Sequence, residues 1–254
     1  MSTLNKAAKK TAKKTPKKSS SSSTLPRVIC HMAPSIDGRI VVKRWPGLQA
    51  LTAIYEAIGA GFDADAWIIG RVSMQAYVDE QQGPPVRLRA PRTPLPRTTY
   101  VADAEATSFA IAIDPAGKLR WKHGHIDDEH VITVLSTSVS DAYLAHLRSI
   151  GVSYVFGGDD TIQLRRVLRT LKQRFGIETL LLEGGGGING HFLAADVIDE
   201  LSVIVAPLVD GSVGTPSLFD ASTASTARAP RALKLVAVEP RGDLLWVRYA
   251  FTKR

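Results

Sequence analysis

The fold of this chain is constrained most by a regular alternation of short apolar runs with segments of helical character. Apolar runs such as 27–33 and 65–69 are typical of strands that are buried on both faces. The clearest helix is predicted over 160–175, where apolar residues recur at helical spacing. Those residues are Leu164, Val167, Leu168, Leu171 and Phe175. Strands that alternate with helices predict an α/β protein with a mostly parallel sheet.

The remaining predicted elements continue this alternation along the chain. Further strands are predicted at 107–113, 130–135, 152–156, 179–182 and 201–206. Further helices are predicted at 47–60, from Arg71, at 140–149 and near 188–195. The last apolar runs, within 233–251, flank the turn-forming segment 239–243 and predict a hairpin. We therefore expect an antiparallel C-terminal hairpin beside the parallel strands.

Charge separates a basic tail, residues 1–24, from a nearly neutral body, residues 25–254. The formal net charge is +8, and the tail has seven lysines and no acidic residue. The tail has too few apolar residues to pack, so we expect it to be disordered. It is interpreted either as a tether to nucleic acid or another anionic surface, or as a solvated extension. It lacks the apolar stretch of a secretory signal, and no apolar run in the chain reaches membrane-spanning length. A cytoplasmic protein is predicted.

Composition excludes several classes of protein. Hydrophobic residues make up 44% of the chain, enough for a large core. The single cysteine, Cys30, excludes a disulfide framework and any multi-cysteine metal site, including that of a zinc deaminase. The segment 123–130 contains histidines and acids but lacks metal-site spacing, and is interpreted as a solvated loop. No metal site is predicted.

The strongest local motif is Glu183-Gly184-Gly185-Gly186-Gly187, between a predicted strand and a predicted helix. Ligands of open α/β sheets bind at the carboxyl ends of strands, where glycines let backbone amides approach a phosphate. The alternative is a tight turn that needs glycine. The spacing differs from the ordinary dinucleotide-binding fingerprint, so the motif predicts a phosphate site without naming the ligand. Glu183 ends an apolar strand, where a carboxylate would accept hydrogen bonds from a ligand or cap neighbouring amides.

Three other strand ends carry polar residues. Gly70-Arg71-Val72-Ser73 repeats the strand–glycine–helix pattern, and Arg71 is either a phosphate ligand or a surface cation. Ser136-Thr137-Ser138 offers hydroxyls or caps the following helix. Ser35-Ile-Asp37-Gly38 follows the first strand, where Asp37 is either a turn residue or part of the same site.

The segment 79–100 interrupts the alternation. It contains five prolines and four arginines, so no regular element is predicted there. It is interpreted either as a surface excursion or as a lid that grips a phosphate.

These motifs, taken in order over residues 28–215, resemble the dihydrofolate-reductase-like superfamily, and most closely the reductase domain of riboflavin biosynthesis. The matching stretches are 32–39, 65–73, 113–117, 131–138, 180–186 and 197–201, followed by Ala206-Pro207. The resemblance implies a three-layer fold whose mostly parallel central sheet binds NADPH across its carboxyl edge. It also implies hydride transfer to the sugar C1 of a ribosylamino-pyrimidine 5′-phosphate.

The resemblance also assigns roles to residues. Cofactor-binding roles fall on Ala33, Gly70, Arg71, Val72, Ser73, Ser136, Thr137, Gly184, Gly185 and Gly186. Among these, the glycines of 184–186 would hold the pyrophosphate and Ala33 the nicotinamide carboxamide. Substrate-facing roles fall on Ser35, Asp37 and Glu183, with Asp37 and Glu183 as the catalytic candidates. Asp37 is expected to orient polar groups and assist proton transfer, not to act as a nucleophile.

Two segments, 45–58 and 79–100, differ from the pattern of the riboflavin reductases. A dihydrofolate reductase or a side-branch pterin or pyrimidine reductase therefore stays open, with Trp45, Pro46 and Glu56 as its markers. An alternative of another class is an NADPH-binding regulatory protein that is tethered to nucleic acid by its tail. The resemblance further implies a homodimer that forms through sheet edges.

Overall fold

The computed structural model describes residues 23–220 and 230–252. The predicted tail, residues 1–24, lies outside the described residues except for its last two positions. The strands are β1 (Arg27–Met32), β2 (Ala66–Gly70), β3 (Phe109–Ile113), β4 (His125–Ile126), β5 (Glu129–Ser136), β6 (Ser153–Gly158), β7 (Thr179–Leu182), β8 (Glu200–Val205), β9 (Leu233–Arg241) and β10 (Leu244–Phe251). The α-helices are α1 (Leu48–Ala60), α2 (Arg71–Glu80), α3 (Asp141–Ser149), α4 (Leu164–Phe175) and α5 (Gly186–Ala194).

The described chain forms two compact units. The first comprises Arg27–Ala64 and the described part of Thr179–Arg254. Its strands follow the order β7-β1-β8-β10-β9. The strands β7 and β8 run parallel to β1, and β10 and β9 continue antiparallel. This unit therefore contains the predicted antiparallel hairpin beside parallel strands.

The second unit comprises Asp65–Glu178. Its parallel strands follow the order β2-β3-β5-β6, and the short strand β4 pairs antiparallel with β5. Every residue of β3 and β5 is buried. Strands that are buried on both faces need apolar residues at successive positions, which explains the unbroken run Phe-Ala-Ile-Ala-Ile of β3. The prediction of an α/β fold with a mostly parallel sheet is confirmed.

Four local features differ from, or refine, the sequence expectations. Helix α4 begins at Leu164, because residues 159–163 form a loop that turns back on β6: the Gln163 amide donates to the Gly157 carbonyl oxygen at 2.8 Å, and Ile162 lies beside Gly157. The strand β6 extends through Gly157 to Gly158, and the two-residue strand β4 was not predicted. In the C-terminal hairpin the turn falls at Gly242-Asp243, where Gly242 has a φ of 64°. No helix within the described ranges is long and apolar enough to cross a membrane.

Candidate active site

The first unit brings four of its candidate segments to one edge of its sheet. The strands β1 and β7 are parallel, with Cys30 opposite Leu182, so their carboxyl ends lie side by side. Ala33 and Ser35 follow β1, and Glu183 follows β7. Ser35 also forms a parallel bridge with Ala206, at the end of β8. The residues expected to face the substrate therefore come from adjacent strand ends.

Asp37 is held by three hydrogen bonds from its own unit. Its Oδ1 accepts the Ser35 hydroxyl at 2.6 Å and the amide of Asp210 at 2.9 Å, and its Oδ2 accepts the amide of Gly211 at 2.9 Å. The Ser35 hydrogen bond, followed by the two amide bonds, holds the pKa of Asp37 well below its usual range. Asp37 is thus a fixed carboxylate, which favours an orienting role over proton donation.

The segment that contacts Asp37 was not found from the sequence. Asp210 accepts the indole Nε1–H of Trp45 at 2.7 Å, and Arg44 donates to Ser212 at 2.9 Å. Together with the hydrogen bonds of Asp37, these contacts connect the segment that follows β1 to residues 210–212. Polar residues and glycine in this segment indicated only a loop, because no local pattern encodes which distant amide an aspartate will accept.

The depressed pKa of Asp37 predicts a specific pH dependence for the variant Asp37→Asn. Asparagine offers one acceptor oxygen in place of two, so the variant should melt at a lower temperature at neutral pH. A lowered pKa in the folded state means that the ionised group stabilises fully above its unfolded pKa of about 3.9, and that this stability fades as the pH falls further. The melting difference between wild type and variant should therefore be constant above about pH 5 and shrink below about pH 4.

Melting temperatures across a pH series test this prediction. Asp243→Asn, at an exposed turn position, is the matched control and should show no such trend. A wild-type advantage that grows as the pH falls would contradict the assignment.

The glycine run after β7 serves packing as well as any ligand. Glu183 is only 4% exposed at the start of the run. A Cβ on Gly184 would come within 2.9 Å of the Ile188 side chain. A Cβ on Gly186 would come within 2.3 Å of the Ser217 carbonyl oxygen, whereas a Cβ on Gly187 would meet no atom of residues 23–220 or 230–252 within 4 Å. The close packing explains why Gly184 and Gly186 have no side chain, and it leaves open space beside Gly187.

Asp220 is a second residue that sequence reasoning missed. Its carboxylate accepts the amide and hydroxyl of Ser217, at 3.0 and 2.6 Å, and its amide donates to the Gly186 carbonyl oxygen. Its Oδ2 would lie 2.4 Å from a Cβ on Gly186. The first turn of α5 therefore has a carboxylate on the Gly186 side and space on the Gly187 side.

The second unit holds the remaining candidates. Gly70 ends β2, and Arg71, Val72 and Ser73 begin α2. Arg71 is half-buried and forms no ion pair with the described residues, whereas the Val72 side chain is 77% exposed. The guanidinium of Arg71 is thus available to an anion, while Val72 contributes its backbone at most.

Ser136 and Thr137 form a turn at the carboxyl end of β5. The Thr137 amide donates to the Gly158 carbonyl oxygen at 2.9 Å, and its hydroxyl donates to Asp159. The hydroxyls of Ser136 and Ser138 contact each other. Helix α3 is capped by Ser140, whose side chain accepts the Tyr143 amide, so the alternative that 136–138 cap this helix is wrong. The turn therefore adjoins the loop after β6, which the sequence did not single out.

The segment 79–100 is attached to this turn through Arg97. The Arg97 guanidinium donates to the carbonyl oxygens of Thr137 and Val139, at 2.9 and 2.8 Å, and pairs with Asp141. Its hydrogen bond to Asp141 lowers the pKa of that carboxyl. At the other end, Gln81 is buried and donates to the His125 carbonyl oxygen at 3.1 Å. Residues 79–80 are the end of helix α2, and 81–99 contain no helix or strand, as predicted; both ends of this stretch are anchored.

The interpretation of the segment 123–130 as a solvated loop is wrong for much of its length, because β4 and the start of β5 lie within it and Ile126, Glu129 and His130 are buried. The His123 and His125 rings stack at 4.4 Å, and His130 lies 2.7 Å from the Ser153 hydroxyl. Among the residues the structure describes, no group of three or more histidine, cysteine, aspartate or glutamate side chains is arranged to hold a metal.

Comparison with known proteins assigns the chain to a family. A sequence model of the RibD C-terminal domain matches residues 26–245. The chain belongs to the RibD C-terminal domain family. The matched range contains every candidate residue of both units.

Two curated members of this group are similar over part of their length. The chain is 32% identical over 75 residues to the 2,5-diamino-6-ribosylamino-4(3H)-pyrimidinone 5′-phosphate reductase of Aquifex aeolicus. That alignment covers 30% of this chain and 33% of the relative. It is 31% identical over 94 residues to the protein of the same name from Methanothermobacter thermautotrophicus, covering 37% of this chain and 43% of the relative. The alignments thus span less than half of the curated relatives.

Solved structures share the fold of this RibD C-terminal domain. A pyrimidine reductase-like protein from Corynebacterium diphtheriae matches 90% of this chain and 93% of its own, with a TM-score of 0.64 and 18% identity. At this identity the match concerns the arrangement of helices and strands, and the α/β fold with a mostly parallel sheet that the sequence predicted is confirmed.

Proposed function

We propose that the chain is a reductase that uses a nicotinamide dinucleotide, NADPH by resemblance, to reduce a ribosylamino-pyrimidine 5′-phosphate. The observation that carries the proposal is the meeting of the Ser35-x-Asp37-Gly38 turn with Glu183 and the glycine run at one sheet edge, in a chain of the RibD C-terminal domain family. The names of the two curated relatives support this substrate class.

The residues after β7 fit one part of a dinucleotide. The first amides of an α-helix have no intrahelical partner, and helix α5 begins at Gly186. The open space beside Gly187 lets a phosphate approach those amides. Gly184, Gly185 and Gly186 would therefore hold the pyrophosphate, with Asp220 bounding the site on one side. In the second unit, Gly70, Arg71, Val72, Ser73, Ser136 and Thr137 would serve the adenosine end.

A bound reduced nicotinamide supplies the hydride that, with one proton, converts the ribosylamino C1 to the ribityl form. The contribution of this chain is binding and orientation. Ala33 would present its backbone to the carboxamide. Ser35 and Asp37 already hold a fixed turn, so their polar atoms would orient the substrate without reorganising. Glu183 is buried, and a buried carboxyl group is suited to hold or pass a proton beside the reacting sugar.

Two alternatives remain for the activity. One is a dihydrofolate or related pterin or pyrimidine reductase, since Glu56 lies half-buried on α1 after Trp45. The other is an NADPH-binding regulatory protein tethered to nucleic acid by residues 1–24. We also propose that the protein is a homodimer, because β9 ends the strand order of its unit and exposes Leu235, Val236 and Val238. A cytoplasmic location is proposed as well, by analogy with biosynthetic enzymes of the family.

The test is NADPH oxidation by the full chain with three substrates in parallel. These are the diaminopyrimidinone 5′-phosphate, its deaminated counterpart and dihydrofolate. Turnover is expected with a pyrimidine phosphate and not with dihydrofolate. Glu183→Gln is expected to lower kcat by about a hundredfold, whereas Glu239→Gln on the exposed hairpin should leave it unchanged. Turnover with dihydrofolate alone would replace the proposal with the first alternative, and binding without any turnover would favour the second.

A further inference from the structure

Asp159 lies beside the turn that the proposed function gives to the adenosine end of the cofactor. It follows β6, whose last residue, Gly158, pairs in register with Ser136. The Thr137 hydroxyl donates to Asp159 Oδ1, and the Thr137 amide donates to the Gly158 carbonyl oxygen at 2.9 Å. The carboxylate is therefore held at the carboxyl edge of the sheet, next to Thr137.

The turn itself has few donors left for a phosphate. The amide of Ser138 donates to Ser136 Oγ at 3.1 Å, and the amide of Val139 donates to the Ser136 carbonyl oxygen at 3.3 Å. The one hydroxyl proton of Thr137 is directed to Asp159. A 2′-phosphate needs donors or cations, so this turn suits it poorly. A ribose hydroxyl can instead donate to a carboxylate, as at NAD-binding sites in general.

The charges around the turn also disfavour a 2′-phosphate. Asp159 is exposed, and its Oδ2 accepts no hydrogen bond from the described residues. Asp160 follows it, and the nearby Arg97 is already paired with Asp141. The cation that contacts the turn is thus engaged, while the Asp159 carboxylate next to Thr137 is exposed.

We propose that Asp159 is a specificity-determining residue that opposes the 2′-phosphate of NADPH and so admits NADH as a second cofactor. The inference rests on the proposed function, which assigns Ser136 and Thr137 to the adenosine end. Asp159 repels a phosphate dianion and accepts a hydrogen bond from a 2′-hydroxyl. It therefore narrows the difference in affinity between the two dinucleotides.

Arg71, at the end of a different strand, has the opposite effect on the affinity for NADPH. The order β2-β3-β5-β6 sets the end of β2 three strands away from the end of β6, roughly 14 Å at the usual strand spacing. Arg71 follows β2 and attracts a 2′-phosphate through its guanidinium. Arg71→Ala should therefore weaken NADPH more than NADH. The selectivity of the protein is the balance between Arg71 and Asp159.

Equilibrium binding of NADPH and NADH to the full chain, measured by calorimetry without substrate, tests the proposal. The variants are Asp159→Asn and, as the matched control, Asp160→Asn, whose side chain makes no hydrogen bond to the turn in the described structure. Asparagine keeps an oxygen that accepts the Thr137 hydroxyl, so the turn should persist. The ratio of the NADH Kd to the NADPH Kd should rise about tenfold in Asp159→Asn and less than about twofold in Asp160→Asn.

The outcomes separate this inference from the function on which it rests. An unchanged ratio in Asp159→Asn, with both dinucleotides bound, would overturn the role of Asp159 and leave the reductase proposal intact. An equal rise in both variants would also overturn it, because the effect would then belong to the general charge of the loop. Failure of the wild-type protein to bind either dinucleotide would overturn the proposed function together with the inference.

Discussion

Replacing Gly190 with alanine is expected to lower the free energy of unfolding by about 2 kcal/mol. Gly190 lies within α5, and a Cβ there would stand 1.9 Å from the Asp220 carbonyl oxygen. A backbone atom cannot rotate away, so either α5 or the segment 217–220 must shift. Such overpacking costs about 3 kcal/mol, and the better helix propensity of alanine returns about 1 kcal/mol.

Gly187→Ala is the matched control, because it adds the same methyl group to the same helix. A Cβ on Gly187 would meet none of the described residues within 4 Å, so this variant should be as stable as the wild type or up to about 1 kcal/mol more stable. Urea unfolding of both variants measures the difference, which should be about 2–3 kcal/mol. Equal stabilities would mean that the segment ending at Asp220 does not pack against α5.

Replacing His31 with phenylalanine is expected to destabilise the first unit by about 2–3 kcal/mol. His31 is fully buried in β1 and stacks on the Tyr55 ring at 4.2 Å. Its Nδ1 lies 3.0 Å from the Ser202 hydroxyl and its Nε2 lies 3.0 Å from the Tyr55 carbonyl oxygen. Ser202 also accepts the indole Nε1–H of Trp246 at 2.9 Å.

For the neutral imidazole, these contacts assign the tautomer. A carbonyl oxygen only accepts, so the proton lies on Nε2, and the Ser202 hydroxyl donates to Nδ1 while it accepts from Trp246. Phenylalanine keeps the ring stacking and removes both nitrogens, which leaves the buried Ser202 hydroxyl without its acceptor. Urea unfolding measures the loss.

The double variant His31→Phe with Ser202→Ala supplies the control. It removes the stranded hydroxyl and should recover part of the lost stability. A single variant as stable as the wild type would show that the hydrogen bonds of His31 contribute little.

Much of the fold was predictable because its signals are local. The apolar runs of β3 and β5 and the helical spacing in α4 are properties of consecutive residues. The boundaries were less predictable, as the start of α4 at Leu164 illustrates. Where a helix begins depends on tertiary contacts, and here the loop 159–163 is held back on β6 by the hydrogen bond from the Gln163 amide to the Gly157 carbonyl oxygen.

The candidate site was predictable in its positions and less so in its interactions. The motifs at Ser35–Gly38 and Glu183–Gly187 do lie at adjacent strand ends, because parallel strands align their carboxyl ends. The partners of those motifs come from loops that carry no periodic pattern. Asp210, Asp220 and Asp159 were therefore not found from the sequence.

The sequence by itself determined the α/β class, the mostly parallel strands, the terminal hairpin and the strand ends that carry polar residues. Periodicity and composition are sufficient for these, because burial on one or both faces of an element requires a repeating pattern. Only the tertiary structure decided what those polar residues do. It fixed Asp37 against 210–211, filled the space over Gly186 and Gly190 with 217–220, and set Asp159 and Arg97 beside Thr137. Such contacts join distant segments, and their geometry follows from the packing of the whole unit.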